Sequence, residues 1–197
     1  MVPDPHVHHR RSVRLRGHDY RLPGAYFVTL CSHGHEELFG TLLCGQLRPS
    51  PVGELVAVTW TWLGNRDSGV RLGPWVLMPN HLHGIVELAQ DRSSRGEEAE
   101  RPNLLHSQTL ASASSPLRVR RTQPGSLPAI IQLYKAESTR RVNRLLRLEG
   151  SGNHIWQRNY YERIIRSDRE YRAVVEYILS NPAQWAADHE NQSRGAR

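Results

Sequence analysis

With 197 residues, 38% of them hydrophobic, the chain is long enough for one domain with extensions and apolar enough to bury a core, which excludes a wholly disordered protein. Two cysteines, Cys31 and Cys44, are too few for a disulfide framework or a cysteine-rich zinc site, and no apolar run approaches the ~20 residues of a membrane span. The formal charge of +7 and the pI of about 10 favour a polyanionic partner, nucleic acid before an acidic membrane surface; Lys135 is the only lysine among 26 basic residues, and arginine's planar fork suits phosphate, although a GC-rich genome gives the same skew.

Residues 1–24 read as a polar, basic arm carrying Arg10, Arg11, Arg14 and Arg16. They lack the apolar stretch of a secretory signal, and reduced thiols in the cytoplasm, near the nucleoid, are expected. AYFVTLCSH (25–33), rich in β-branched and aromatic residues, predicts a strand. HEELFGTLLCGQLRPS follows as a hairpin-like stretch. PVGELVAVTWTWLGNR (51–66) predicts a helix capped by Ser50, with Leu55, Val56, Val58, Trp60 and Leu63 as its apolar face. VRLGPWVLMP (70–79) and HLHGIVEL (81–88) predict neighbouring strands. Residues 89–125 are polar and without periodicity, and read as a flexible insertion.

SLPAIIQLYKAESTRRVNRLLR (126–147) predicts a helix capped by Ser126, with Leu127, Ile131, Tyr134, Val142 and Leu145 on one face. Lys135, Arg140, Arg141, Arg144 and Arg147 load the remainder. They serve either as a solvated face or as a phosphate-contacting ridge. NHIWQRNYYERIIRS (153–167) reads as extended. Ser167 to Glu170 matches a capping box opening a last helix, which Asn181-Pro182 ends or bends. A polar tail, 187–197, follows. Strand, helix, two strands, helix, strand, helix is a βαββαβ unit with an added C-terminal helix. An α+β, ferredoxin-like antiparallel sheet with helices packed on one face is therefore expected.

Residues i and i+2 of a strand share a face, so His81 and His83 point the same way while Leu82, Gly84 and Val86 point the other. Such a pair can hold a metal, or can be two hydrogen-bonded histidines. The HVHH stretch in the arm has the same spacing. On the last helix, Tyr171, Val174, Val175, Ile178 and Leu179 form an apolar stripe, and Tyr177 falls roughly 130° from its centre with Asn181 beside it. If that displayed face meets the histidine face, two imidazoles, an amide oxygen and a phenol converge. A divalent cation, Mg2+ or Mn2+, on His81, His83 and Asn181 would keep positions for phosphate oxygens, and Tyr177 would attack phosphorus in line. Otherwise Tyr177 is an amphipathic side chain at a helix edge.

Several passages carry a family likeness: RRSVRLRGHDYRLPGAYFVTLCSH, WVLMPNHLHGIVEL, IIQLYKAESTRRVNRL and IWQRNYYERIIRSDREYRAVVEYILSNPAQW, in this order. Over about residues 10 to 186, outside the insertion, the chain resembles the REP-associated tyrosine transposases, single-tyrosine members of the HUH endonuclease superfamily. The resemblance implies a ferredoxin-like domain, residues 25–186 here, that binds single-stranded DNA hairpins of palindromic repeats and nicks or joins them through a 5′-phosphotyrosine, as in DNA transposition and recombination. It puts the histidine pair on His81 and His83, the nucleophile on Tyr177 and the third metal ligand on Asn181. Tyr160 and Tyr161 are the rival nucleophiles, of which alternation lets only one face the histidines; they could instead stack on bases. Arg10, Arg11, Arg14, Arg16, Lys135, Arg140, Arg141 and Arg144 are the expected DNA contacts. A second copy of the chain is a further possible partner; a membrane is not. Two other readings compete. One is a non-catalytic DNA-binding descendant of such a transposase. The other is a histidine-triad nucleotide hydrolase, which wants a third histidine where Ile85 stands.

Overall fold

The computed structural model describes residues 18–66, 69–89, 123–147 and 154–187. Arg10, Arg11, Arg14 and Arg16, nearly all of the 89–125 insertion, and the tail from 188 lie outside these residues. In chain order the elements are β1 (Gly24–Cys31), β2 (Gly40–Leu43), β3 (Gln46–Pro49), α1 (Pro51–Arg66), β4 (Val70–Leu77), β5 (His81–Leu88), α2 (Leu127–Leu145), β6 (Tyr161–Ile165) and α3 (Asp168–Ser180). No helix among the described residues is long and apolar enough to cross a membrane.

β4, β5, β1 and β6 form one sheet in that order, and every neighbouring pair is antiparallel. This is the strand order of a ferredoxin-like fold. The segment read as hairpin-like is a separate two-stranded sheet, β2 on β3, placed between β1 and α1. β4 is an edge strand, and its register slips between Leu72 and Trp75, around Gly73 and Pro74. Proline has no N–H for a ladder, so such an edge irregularity is where it fits.

Strand alternation divides the sheet into two faces. Tyr26, Val28 and Leu30 of β1 and Leu82, Val86 and Leu88 of β5 pack with Val56, Trp60 and Leu63 of α1 and with Leu127, Ile131 and Tyr134 of α2. Tyr134 Oη donates to the Val56 carbonyl at 3.2 Å and ties the two helices. Gly84 belongs to this face because a Cβ there would stand 2.7 Å from Trp60 Cζ2. The opposite face is covered by α3: Ile85, Val174 and Ile178 form a smaller core with Phe27, Val76, Ile165 and Tyr177 around it.

Three residues expected on apolar helix faces are exposed instead. Val58 is 59% exposed because it lies about 200° around α1 from Val56, while Val56, Trp60 and Leu63 stay on the buried side. Leu145 is 47% exposed in the last turn of α2, past Val142, and Leu179 is 69% exposed on α3. The capping box holds with one change. Ser167 Oγ accepts from Glu170 N at 3.2 Å, and the Glu170 carboxylate returns to Arg166 N at 2.8 Å rather than to the cap residue. Asn181 keeps helical dihedrals before Pro182, and the chain continues as a 3₁₀ helix over Asn181–Ala187. The proline thus changes the type of coil instead of stopping it.

Candidate active site

His81 and His83 face α3 and are buried, at 0% and 2% exposure. The register of β1 on β5 sets Cys31 opposite His81 and Thr29 opposite His83. Thr29 Oγ1 lies 2.8 Å from His83 Nδ1. The neighbour of His81 in sequence, Asn80, places its Oδ1 2.8 Å from His81 Nδ1. Asn80 is itself held: its Nδ2 donates to the His35 carbonyl at 3.3 Å, and its carbonyl accepts from Ser32 N at 2.7 Å. With the amide nitrogen occupied as donor, Oδ1 can only accept. His81 Nδ1 therefore carries the proton, and Nε2 keeps the lone pair.

α3 brings the phenol. Tyr177 Oη lies 3.3 Å from His83 Nε2, a contact between residues 94 positions apart. Phe27 of β1 fixes both rings: it stacks on His83 with centroids 5.4 Å apart and meets Tyr177 edge-on at 5.9 Å. The buried side of α3 centres on Val174, which turns it roughly 60° from the centre of the expected apolar stripe. That rotation leaves Leu179 in solvent and puts Tyr177 at the margin of the buried side rather than on a separate displayed face.

Asn181 caps α3, its N–H donating to the Tyr177 carbonyl, and is 3% exposed. Four residues on, the Trp185 ring comes within 5.9 Å of the His81 ring. The turn beginning at Asn181 therefore passes beside the histidine pair. Among the described residues no group of three or more His, Cys, Asp or Glu side chains converges as a metal cage. The donor set here is smaller, two imidazoles with ring centroids 4.3 Å apart. Both Nδ1 atoms are engaged by side-chain oxygens, the outer arrangement that orients metal-binding histidines, so the pair fits a divalent cation held through nitrogen.

The two adjacent tyrosines part company. Tyr160 is 9% exposed and belongs to the larger core, whereas Tyr161 is 44% exposed and pairs with Thr29. The row His83, Thr29, Tyr161 thus crosses three strands on one face, and only Tyr161 of the pair lies on the side of the histidines. The basic residues of α2 are not brought to Tyr177, because α2 covers the other face of the sheet. Lys135 Nζ donates to the carbonyls of Gln157 and Asn159 at 2.8 and 2.7 Å, and burial pushes its pKa down to about 8. Arg140 and Arg141 both pair with Glu137, and the Arg141 guanidinium also lies 5.1 Å over the Trp62 ring. Arg144 is exposed. Asn80, Thr29 and Phe27 are site residues that sequence reasoning missed. A signal existed only for Asn80, which directly precedes the histidine pair.

No family model matches the chain. It is 34% identical to an uncharacterized protein of Haemophilus influenzae over 188 residues, 92% of this chain and 93% of that protein. Among solved structures, a REP-associated tyrosine transposase bound to a REP hairpin aligns with 85% of this chain and 72% of its own length, at 16% identity and a TM-score of 0.51. The chain therefore belongs to one family with the Haemophilus influenzae protein, and the fold that positions its histidine pair and its tyrosine is that of a REP-associated tyrosine transposase.

Proposed function

We propose that the protein is a single-stranded DNA endonuclease and strand transferase that binds hairpins of palindromic repeats and cuts and rejoins them through Tyr177. The observation that carries this reading is the approach of Tyr177 Oη to His83 Nε2 at 3.3 Å. A phenol with an ordinary pKa of about 10 is a weak nucleophile at neutral pH and needs a neighbour that assists its loss of a proton. His81, His83 and Asn181 would hold a divalent cation, Mg2+ or Mn2+. Such a cation supplies Lewis acidity, polarising the phosphoryl group and offsetting charge that builds on its oxygens.

In cleavage, a bond forms between Tyr177 Oη and phosphorus while the bond from phosphorus to the 3′ oxygen breaks. The phenol gives up one proton and the departing 3′ oxygen takes one on. The phosphodiester bond is exchanged for a phosphotyrosine, so a second 3′ hydroxyl can reverse the step and join a new strand. Phe27 and Thr29 hold the His83 ring beside the phenol, and Asn80 holds the His81 ring through its Nδ1. The solved transposase with this fold carries a REP hairpin, which supports a hairpin as ligand here.

The test is incubation with labelled single-stranded hairpins, drawn from palindromes flanking the gene, plus Mn2+, followed by denaturing electrophoresis. A protein–DNA adduct that survives denaturation is expected from the wild type and absent from Tyr177→Phe, which still binds the hairpin. An adduct from Tyr177→Phe at the wild-type rate would overturn the assignment.

A further inference from the structure

α2 and the extended segment 154–158 flank an open groove of about 500 Å3, within the ~300–1,000 Å3 of ordinary ligand pockets. Lys135, Arg140, His154 and Arg158 line it, and no aspartate or glutamate does, although Arg140 is paired with Glu137 beside it. Its Asn143 has a side-chain oxygen shielded from solvent that meets no hydrogen-bond partner among the described residues. Trp156 stiffens the wall, since its Nε1 donates to Ser138 Oγ at 2.8 Å.

These groups ask for two chemistries at once. Guanidinium groups bind phosphate oxygens, which only accept. The unpartnered Asn143 oxygen wants a donor, and the edge of a nucleobase offers one. A free anion satisfies the first demand and leaves the second unmet, whereas a nucleotide meets both.

The position of the groove connects it with the reaction. Gln157 N donates to the Cys31 carbonyl at 2.9 Å, and Cys31 pairs on its other side with His81. The groove wall and the histidine strand therefore flank one residue of β1, two strand spacings or roughly 10 Å apart along the sheet, with α2 on the face opposite the histidines.

We propose that this groove seats a nucleotide of the same single strand that reacts at Tyr177, its phosphate on Arg140 and Arg158 and its base edge on the Asn143 amide. The inference rests on the reading of the ligand as single-stranded DNA.

Binding is measured by fluorescence anisotropy in the full-length Tyr177→Phe protein, as a function of salt, with a labelled hairpin bearing a single-stranded flank. Adduct formation is measured separately with Tyr177 intact. Arg158 is exposed, so Arg158→Gln leaves the fold alone. It is expected to weaken binding several-fold and to lower the slope of log affinity against log salt by about 0.7, the loss of one single-strand phosphate contact. Asn143→Ala is expected to keep the slope and to flatten the preference among flank bases. Arg172→Gln, an equal loss of charge on the outer side of α3, leaves the slope unchanged. Wild-type affinity and slope in Arg158→Gln, with adduct formation intact, would refute the groove and spare the proposed reaction. A groove-dependent slope in a protein that never forms an adduct would refute the reaction and spare the groove.

Discussion

A histidine can offer a lone pair on only one nitrogen at a time, and its second nitrogen decides which. For His81 the decision lies with Asn80, whose amide oxygen accepts from Nδ1–H while its nitrogen is spent on the His35 carbonyl. Under the proposed metal role of His81, Asn80→Leu is expected to lower Mn2+ affinity, read by calorimetry, by roughly 10–100-fold, the usual effect of removing an outer partner of a ligating histidine. Asn80→Asp keeps an acceptor and restores most of that affinity, a rescue that a purely structural asparagine would not show. The histidine pair itself was legible, because strand alternation alone puts both rings on one side. The locks on those rings were less so. Thr29 reaches His83 from 54 positions away, and only the register of β1 on β5 brings it there.

At the level of elements, the boundaries followed from caps, alternation and proline, and they hold to within a residue or two except in the extended segment 153–167, where the strand is confined to Tyr161–Ile165. What the apolar pattern misplaced was the rotation of α3. An average over aliphatic residues gave Leu179 the same weight as Val174, yet burial centres on Val174 and Ile178, and the phenol of Tyr177 and the amide of Asn181 occupy sheltered positions that aliphatics would take in an ordinary helix. Polar groups in sheltered positions are invisible to a hydrophobic average. The consequence is measurable. Leu179→Lys is expected to change stability by no more than about 0.5 kcal/mol, whereas Ile178→Ala costs about 2–5 kcal/mol, both read by denaturant unfolding. On the other face, Gly84→Ala drives a methyl group to within 2.7 Å of the Trp60 ring and 3.2 Å of Trp75 Cβ. Overpacking of that kind costs about 1–3 kcal/mol, seen as a lower unfolding midpoint.

For the whole molecule, the strand order followed from counting elements, while the division of labour between the sheet's faces did not. The basic helix and Tyr177 look equally close in sequence pattern but stand on opposite sides. One titration belongs to this scale because it links α2 to the segment before β6. Burial lowers the Lys135 pKa to about 8, so between pH 8 and the unfolded value near 10.5 the unfolded chain binds the extra proton. Stability due to this group therefore rises with pH across that window. Relative to Lys135→Met, the wild type is expected to gain on the order of 2 kcal/mol from pH 8 to pH 10 in urea melts.

A layer of hydrogen-bonded strands is also a partition: whatever touches both of its sides must travel round the rim. An oligonucleotide too short to make that detour can satisfy the histidine side or the arginine side, never both. Affinity plotted against oligonucleotide length is expected to climb in two stages with a plateau between them, and a single smooth rise would mean that one side does all the gripping.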